Sequence, residues 1–187
     1  MQVENHEVEW YPLRVTYARE LKVKEYLDEN KIECFIPMHY QEKLQGEIKV
    51  KQLVPVIHNL LFVRTDKKQI DKLKADSPVS TLIRYLMNPV THLPVIIPEK
   101  QMQDFIAVAG TPEEQVLYLS TSEVSMKKGD RVRITGGIWE GVEGRFIRVK
   151  RGMRVVVEIE GIMAVATASL HPSLVQRLNP NSSQLSE

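Results

Sequence analysis

The sequence predicts an α+β protein in which a mixed α/β domain precedes a small five-stranded β-barrel. Strand and helix patterns alternate over residues 9–109, which favours a sandwich of helices on a mostly antiparallel sheet. Residues 127–178 carry only short strand patterns separated by glycine turns, which is typical of a small barrel. Residues 110–126, with Pro112 and the cluster Ser120-Thr121-Ser122, are predicted to form a linker, in which residues 116–119 could pair transiently against one domain. Disordered segments are expected over residues 1–8 and 179–187.

The first domain is predicted to begin with a strand and an amphipathic helix. Trp10–Tyr17 is rich in aromatic and β-branched residues, and Pro12 places the beginning of this strand at a sheet edge or bulge. Ala18–Asn30 has helical spacing and offers four-apart ion pairs from Glu20 to Lys24 and from Lys24 to Asp28. The remaining elements are a strand over 32–40 broken by Pro37, a hairpin turning near Gly46, a central strand over 54–64, a short helix capped by Asp66, a strand over 79–87, and a helix from Pro98 to Gly110.

The barrel is predicted from alternating residues bracketed by glycines. Residues 131–135 alternate apolar and charged side chains, and Gly136-Gly137 ends that strand. Gly141 and Gly144 are expected to provide positive φ before the next strand. Trp139 lies at the expected loop tip, either folded back as a lid or displayed for a partner. The further strands are expected over residues 145–150, 155–159, 162–168 and 174–178.

Composition excludes several classes of protein. Of 187 residues, 43% are hydrophobic and 26% charged, as in ordinary soluble proteins, and no apolar run reaches the roughly 20 residues of a membrane span. The acidic first residues are no secretory signal, and the single cysteine, Cys34, excludes an intramolecular disulfide. A cytoplasmic location is expected. Residues 127–178 hold ten basic and five acidic side chains, which suits a nucleic acid or an acidic protein surface, or simply a charged exterior.

No catalytic constellation is visible in the sequence. The five histidines are scattered without metal-ligand spacing, and there is no nucleophile elbow or phosphate-binding Gly-Lys-Ser loop. Cys34 lies among apolar residues, where a buried and inert thiol is expected. We therefore expect a binding protein without cofactor or metal, and not an enzyme.

The two halves together resemble the NusG family. Gly129–Gly144 is similar to a KOW motif. Trp10-Tyr11, the helix Ala18–Asn30, Ile36-Pro37-Met38 and the run His58–Val63 are similar to the family's N-terminal (NGN) domain. The resemblance covers residues 9–178 and implies an NGN domain over 9–109 joined to a KOW barrel over 127–178.

The resemblance implies that the first domain binds the clamp helices of RNA polymerase and keeps the enzyme processive. His58 stands where proline is usual in the family's pocket stretch, and Leu60 stands where tyrosine is usual. An apolar groove of this kind would hold an amphipathic helical hairpin. The alternative is that these side chains simply fill the core. The residues implied for polymerase binding are Trp10, Tyr11, His58, Leu60 and Phe62.

Two further contacts are implied by the resemblance. RfaH-like members contact displaced non-template DNA, which would fall here to Arg14, Arg19 and Lys22, although a solvated helix face explains the last two equally well. The KOW loop of the family recruits a small-subunit ribosomal protein or a termination factor. Ile138, Trp139 and Val142 would form that contact as an exposed apolar patch.

The resemblance is nearest to specialised members of the family. The usual Phe-Pro-Gly is missing, and no His-Thr-Thr patch precedes Val79-Ser80. We expect an RfaH-like or UpxY-like antiterminator, monomeric and without a membrane partner, that acts on a capsular or exopolysaccharide operon. The alternatives are a housekeeping NusG, or a KOW-containing ribosome- or RNA-binding protein. The helical refolding of RfaH is not expected, since Val155-Val156-Val157 favours strands.

Overall fold

The computed structural model describes residues 7–111, 115–125 and 127–178. The chain divides into two units, Met1–Glu99 and Lys100–Glu187, at the first turn of a helix. The domain limits predicted at residues 109 and 127 stay predictions. The expected leader, apart from residues 7 and 8, and the expected tail lie outside the described residues.

The first unit contains the alternating elements that the sequence predicts, with some changes in their limits. Numbered in chain order, they are β1 (Glu9–Val15), α1 (Glu20–Glu29), β2 (Glu33–Phe35), β3 (Met38–Gln45), β4 (Ile48–Pro55), β5 (Leu60–Thr65), α2 (Lys67–Asp76) and β6 (Ile83–Tyr85). The single strand expected over 54–64 is wrong, because Asn59 adopts a φ of 66° and a turn separates β4 from β5. The strand expected over 79–87 is only three residues long.

The four-stranded sheet of the first unit has the order β2-β5-β1-β6, with β1 antiparallel to both neighbours. One face packs on helices α1 and α2, since Leu13, Leu61, Val23 and Ile70 belong to one buried cluster. Because strand side chains alternate, Trp10, Arg14 and Phe62 lie on the opposite face. Strands β3 and β4 form a separate hairpin that turns at Gly46, as predicted.

Pro12 lies in the beginning of β1, beyond the end of β6, which pairs only with Leu13–Val15. Its carbonyl accepts a hydrogen bond from the backbone N–H of Leu86 at 3.2 Å, just beyond β6. Proline has no N–H to return to the carbonyl of Leu86. That carbonyl instead accepts the backbone N–H of Val95 at 2.9 Å. The loop after β6 therefore supplies the hydrogen bond that proline cannot make.

Helix α1 keeps one of its two predicted ion pairs. Lys24 Nζ lies 2.8 Å from Asp28 Oδ2, as the spacing predicts. Glu20 does not pair with Lys24, because it is buried at the start of the helix and its Oε1 lies 3.2 Å from His58 Nδ1. Asn30 ends the helix, where its side-chain amide donates to the carbonyl of Tyr26 at 2.7 Å.

The second unit begins with α3 (Glu99–Ala109) and otherwise consists mainly of strands. These are β7 (Leu117–Leu119), β8 (Asp130–Ile134), β9 (Glu143–Val149), β10 (Gly152–Ile159), β11 (Met163–Ala166) and β12 (Val175–Arg177), with a short helix α4 (Thr121–Ser125) after β7. The strands form one sheet in the order β12-β8-β9-β10-β11-β7. The five predicted strands are all present.

Within the expected linker, Leu117–Leu119 form a strand and Thr121–Ser125 a short helix. Strand β7 pairs with β11, placing Leu117 opposite Ala166, and Val124 of α4 is fully buried in the same cluster as Ile147. Leu117 and Leu119 gain more from burial against the sheet than an extended linker would offer. The segment therefore belongs to the second unit as a sixth strand and a helical turn.

Two glycines of the predicted pattern are required for different reasons. Gly141 has a φ of 86°, a conformation that side-chain-bearing residues rarely adopt. Gly144 lies inside β9, where a β-carbon would approach the carbonyl oxygen of Val156 to 2.5 Å. The expectation of positive φ is thus met at Gly141 but is wrong for Gly144, whose role is close approach. The α+β class with mostly antiparallel sheets is confirmed.

Candidate functional site

The five residues implied for polymerase binding do not form one surface. Trp10, Leu60 and Phe62 lie on the face of the sheet opposite α1 and α2, but Tyr11 lies on the helix-packed face. Trp10 and Phe62 are 2% and 0% exposed, and Leu60 is also buried. A partner can therefore touch Trp10, Leu60 and Phe62 only if this face opens.

Tyr11 is buried and makes its contacts inside the first unit. Its ring stands edge-on to that of Tyr85, with the centroids 6.1 Å apart, and its hydroxyl donates to Glu9 Oε2 at 3.0 Å. Burial, aided by the hydrogen bond and charge of Glu9, raises the pKa of Tyr11 to about 12. The hydroxyl thus stays protonated. Because Tyr11 is buried, it offers no exposed surface for the implied contact with polymerase.

His58 is the one exposed member of the set, and it contacts a buried carboxylate. Glu20 is 2% exposed, and its Oε1 lies 3.2 Å from His58 Nδ1. Its other oxygen, Oε2, has no hydrogen-bond partner in the described part of the chain. The next residue, Asn59, accepts the backbone N–H of Val15 through its carbonyl and that of Ala18 through its side chain. His58 therefore lies in a loop fastened to the end of β1.

The residues implied for DNA binding separate onto two sides of the unit. Arg14 projects from the sheet face opposite α1, whereas Arg19 precedes α1 and Lys22 lies on its exposed side. Arg14 instead lies directly opposite Arg84 of β6, which the sequence had not singled out. Strand register, not sequence spacing, brings these two arginines together.

Arg14 and Arg84 form an uncompensated pair of like charges. Both are exposed, and neither makes an ion pair with any residue that the structure describes. The guanidinium of Arg84 is held by backbone atoms of preceding residues, since it donates to the carbonyls of Ser80 and Ile83 at 3.2 and 2.7 Å. Like charges that face each other across a strand pair are destabilising. Such a pair is suited to bind an anion.

The loops at this end of the sheet also present an aromatic side chain. Tyr17 is 83% exposed and adopts a φ of 61°, and Ala18 beside it is also left-handed. The backbone N–H of Thr16 donates to the carbonyl of Leu82 at 2.9 Å, which joins this loop to the segment before β6. Proteins that bind single-stranded nucleic acid combine aromatic side chains, on which bases stack, with cationic side chains that contact phosphates. Tyr17 and the two arginines offer both kinds of side chain.

The exposed apolar patch expected in the second unit is reduced to a single residue. Trp139 is only 5% exposed, its indole N–H donates to Thr111 Oγ1 at 3.1 Å, and Val142 is buried beside it. Of the alternatives for Trp139, the structure shows the side chain folded back. Ile138 alone is displayed, at 70% exposure. Whether it meets a partner stays a prediction.

Within residues 7–111, 115–125 and 127–178, no group of three or more His, Cys, Asp or Glu side chains is arranged to hold a metal ion. No helix in that part of the chain is long and apolar enough to cross a membrane. Burial raises the pKa of the Cys34 thiol to about 11, which keeps it protonated at neutral pH.

The fold is that of a two-unit protein in which a mixed α/β unit precedes a mainly β unit. Its family follows from the sequence of the first unit. The family profile described as "NusG: Transcription termination factor nusG" matches residues 8–106, more than half of the chain. The chain belongs to the NusG family of transcription factors.

A solved structure entitled "Domain interaction in Thermotoga maritima NusG" is similar to this chain. The two share 18% sequence identity, and the similarity covers 92% of this chain and 98% of that one, with a TM-score of 0.44. None of the curated proteins compared with the chain matches it significantly.

Proposed function

We propose that this chain is a specialised NusG-like elongation factor and antiterminator that binds RNA polymerase through its first unit. The observation that carries the proposal is the family match over residues 8–106, which spans the whole four-stranded sheet. The proposed contact is the sheet face of Trp10, Leu60 and Phe62. This buried face would have to open before its apolar side chains could grip a helical hairpin of the polymerase.

The polymerase contact is best tested by replacing each of two neighbouring leucines, Leu60 and Leu61, with alanine. Phe62→Asp is a poor probe, because a carboxylate at a fully buried position would destabilise the first unit itself. Leu60 and Leu61 are both buried in β5 but point to opposite faces of the sheet, Leu61 towards the cluster beneath α1 and α2. Truncation of either leucine removes the same atoms and costs roughly 2–5 kcal/mol.

Binding of the full chain to core RNA polymerase is then measured for both variants under conditions in which each is folded. We expect Leu60→Ala to weaken binding by about tenfold or more, as loss of an interface anchor does. Leu61→Ala serves as the control for stability and should leave the affinity near that of the parent chain. Equal affinities for the two variants would remove this face from the polymerase contact.

Arg14 is proposed to contact non-template DNA, with Arg84 as its partner on the neighbouring strand. Arg19 and Lys22, at the start of α1 on the other side of the sheet, would make a separate contact. The absence of ion-pair partners for Arg14 and Arg84 in the described chain supports the role of an anion site. Phosphate contacts of this kind position a strand without reading its sequence.

The specialised role is proposed from the departures in sequence, among them Leu60 in place of tyrosine and the missing Phe-Pro-Gly. The target would be a capsular or exopolysaccharide operon. Transcription of such an operon is compared in cells with and without the gene. Loss of promoter-distal transcripts, with promoter-proximal ones retained, is the expected result, and a uniform change across all operons would instead indicate a housekeeping factor.

A further inference from the structure

The β3–β4 hairpin forms a two-stranded sheet of its own, separate from the four-stranded sheet of the first unit. Every residue from 40 to 53 is exposed, so the described chain covers neither face of this part of the hairpin. A two-stranded hairpin in water is marginally stable by itself, and a further strand stabilises it. The exposed residues include five large hydrophobic side chains, those of Tyr40, Leu44, Ile48, Val50 and Leu53.

The register of the hairpin determines which backbone groups of β4 point away from β3. Antiparallel residue pairs alternate between pairs that exchange backbone hydrogen bonds and pairs that do not. The N–H of Val56 donates to the carbonyl of Pro37 at 2.9 Å, which identifies the hydrogen-bonded set. Every second residue of β4 therefore directs its backbone groups outward. Pro55, which has no N–H to donate, belongs to this outward set, where proline is tolerated. The other members are Lys49, Lys51 and Leu53.

These outward groups form an edge that no strand occupies. Within the described residues, β4 pairs with β3 alone. We call the backbone of residues 49–53 the outer edge of β4. Its outward N–H and carbonyl groups recur at every second residue, which is the spacing that an added strand matches with its own backbone. The outer edge can therefore accept an extended segment as a third strand.

The side chains along the outer edge oppose pairing with a second copy of the chain. The antiparallel register that joins residues 49–53 of two copies places Lys51 opposite Lys51, and a register centred on Val50 places Lys49 opposite Lys51. Like charges directly opposite each other destabilise a strand pair, and lysines on edge strands discourage self-association in this way. The outer edge therefore suits a strand of a different sequence.

The same lysines favour acidic side chains on the added strand. Glu42 of β3 lies opposite Lys51, and its Oε2 lies 3.5 Å from Lys49 Nζ. One carboxylate thus faces two ammonium groups. The side chains of Lys49 and Glu42 are both mostly exposed, so their ion pair is weak. This face of the hairpin keeps a positive charge at the outer edge.

The opposite face of β4 is apolar near the turn. Because strand side chains alternate, Ile48 and Val50 lie on the face away from Lys49 and Lys51. Both are exposed, and apolar side chains on an added strand would bury part of their surface. A strand that complements both faces therefore alternates acidic with apolar side chains.

We infer that the outer edge of β4 binds an extended segment of a partner protein in which acidic and apolar side chains alternate. Backbone hydrogen bonds hold the added strand, while Lys49, Val50 and Lys51 select its side chains. The hairpin contains none of the residues assigned to polymerase or to DNA. The contact is therefore additional to the proposed function and does not depend on it.

The inference is tested with the full chain and the capped peptide Ile-Thr-Glu-Val-Glu-Val. In antiparallel pairing its glutamates lie opposite Lys51 and Lys49, and the valine between them lies opposite Val50. Backbone amide signals and their hydrogen exchange are recorded as peptide is added to about 1 mM. The outward amides of β4 should shift and exchange more slowly, while the outward amides of β3 keep their rates. No protection at the outer edge, or equal protection of both edges, would overturn the inference.

Two proline variants separate the outer edge of β4 from that of β3. Leu53 and Leu44 are both exposed, lie on the same face of the hairpin, and direct their N–H groups outward from β4 and β3 respectively. Proline at either position keeps the hydrogen bonds between the two strands. Leu53→Pro should weaken peptide binding about tenfold, because it removes one donor from the edge, and Leu44→Pro should bind like the parent. Equal affinities of the two variants would contradict pairing at β4.

The charge of the occupant is tested with a second peptide that carries lysine in place of both glutamates. Two opposite-charge pairs across strands should make the glutamate peptide bind about 2- to 30-fold more tightly at low salt. Equal or tighter binding of the lysine peptide would overturn the acidic assignment. Sedimentation of the parent chain alone tests the other occupant. The parent should be monomeric, and a dimer that Leu53→Pro abolishes would assign the outer edge to a second copy and overturn the inference.

Discussion

Gly144→Ala tests the close approach of two strands in the second unit. The added β-carbon would lie 2.5 Å from the carbonyl oxygen of Val156 and 2.8 Å from Val155 Cγ1. Both valines are fully buried, and the first atom belongs to the backbone of the adjacent strand. Neither can swing away as an exposed side chain would, so β9 and β10 must separate.

The expected cost follows from two opposing effects. Overpacking a well-filled site costs about 1–3 kcal/mol, and replacing glycine by alanine recovers about 0.4–1 kcal/mol through the unfolded chain. The net destabilisation is about 1–2 kcal/mol. Because about 1 kcal/mol shifts the melting temperature of a unit of this size by about 4–8 °C, a decrease of roughly 4–16 °C is expected.

Gly136→Ala is the matched control. A β-carbon there would meet only Leu174 Cδ2, at an ordinary 3.7 Å. The melting of the second unit is followed through Trp139 fluorescence in a Trp10→Phe background, because the chain has only two tryptophans. The reasoning fails if Gly144→Ala melts at or above the temperature of Gly136→Ala.

Two further predictions concern the first unit. Burial holds the pKa of Cys34 at about 11, against an ordinary value of 9.0. Alkylation of Cys34 at pH 8 should therefore be about 100-fold slower than alkylation of an exposed cysteine, because a smaller fraction of the thiol is ionised. Denaturant should remove the difference. A rate equal to that of free cysteine in the folded protein would show the thiol to be accessible. Arg14→Gln should raise the free energy of unfolding by about 0.2–1 kcal/mol at low salt, because it removes a like charge opposite Arg84. Urea denaturation in about 1 M salt should show a smaller gain, since the repulsion is screened, and a gain independent of salt would exclude repulsion as its cause.

The local patterns of the sequence predicted most of the elements, because each depends on neighbouring residues. Asp66 caps α2 by accepting the backbone N–H of Gln69 at 2.7 Å, a contact three residues away. The alternation around Val132 and Ile134 likewise marks a strand that buries one face. Such signals need no knowledge of the rest of the chain.

The misassigned elements depend on distant partners. Leu117–Leu119 becomes a strand only because β11, some 45 residues further along, offers an edge to pair with. Pro12 is tolerated beside Leu86 because Val95 donates to the carbonyl of Leu86 in its place. Neither partner is visible from the residues around the element itself.

The candidate sites were affected in the same way. Arg84 was missed because its neighbour Arg14 is 70 residues away and meets it only through strand register. The glycines around Trp139 left open whether its ring is folded back or displayed, and the family resemblance implied an exposed contact. Thr111 accepts the indole N–H and holds the ring inward.

The most direct test of the central claim measures pausing by core RNA polymerase in a reconstituted elongation assay with added protein. The parent chain is expected to shorten pauses, Leu61→Ala to act like the parent, and Leu60→Ala to lose the effect at concentrations that saturate the control. If the folded parent leaves pausing and termination unchanged, or if the two leucine variants behave alike, then the sheet face of Trp10, Leu60 and Phe62 is not the surface through which this protein acts on the polymerase.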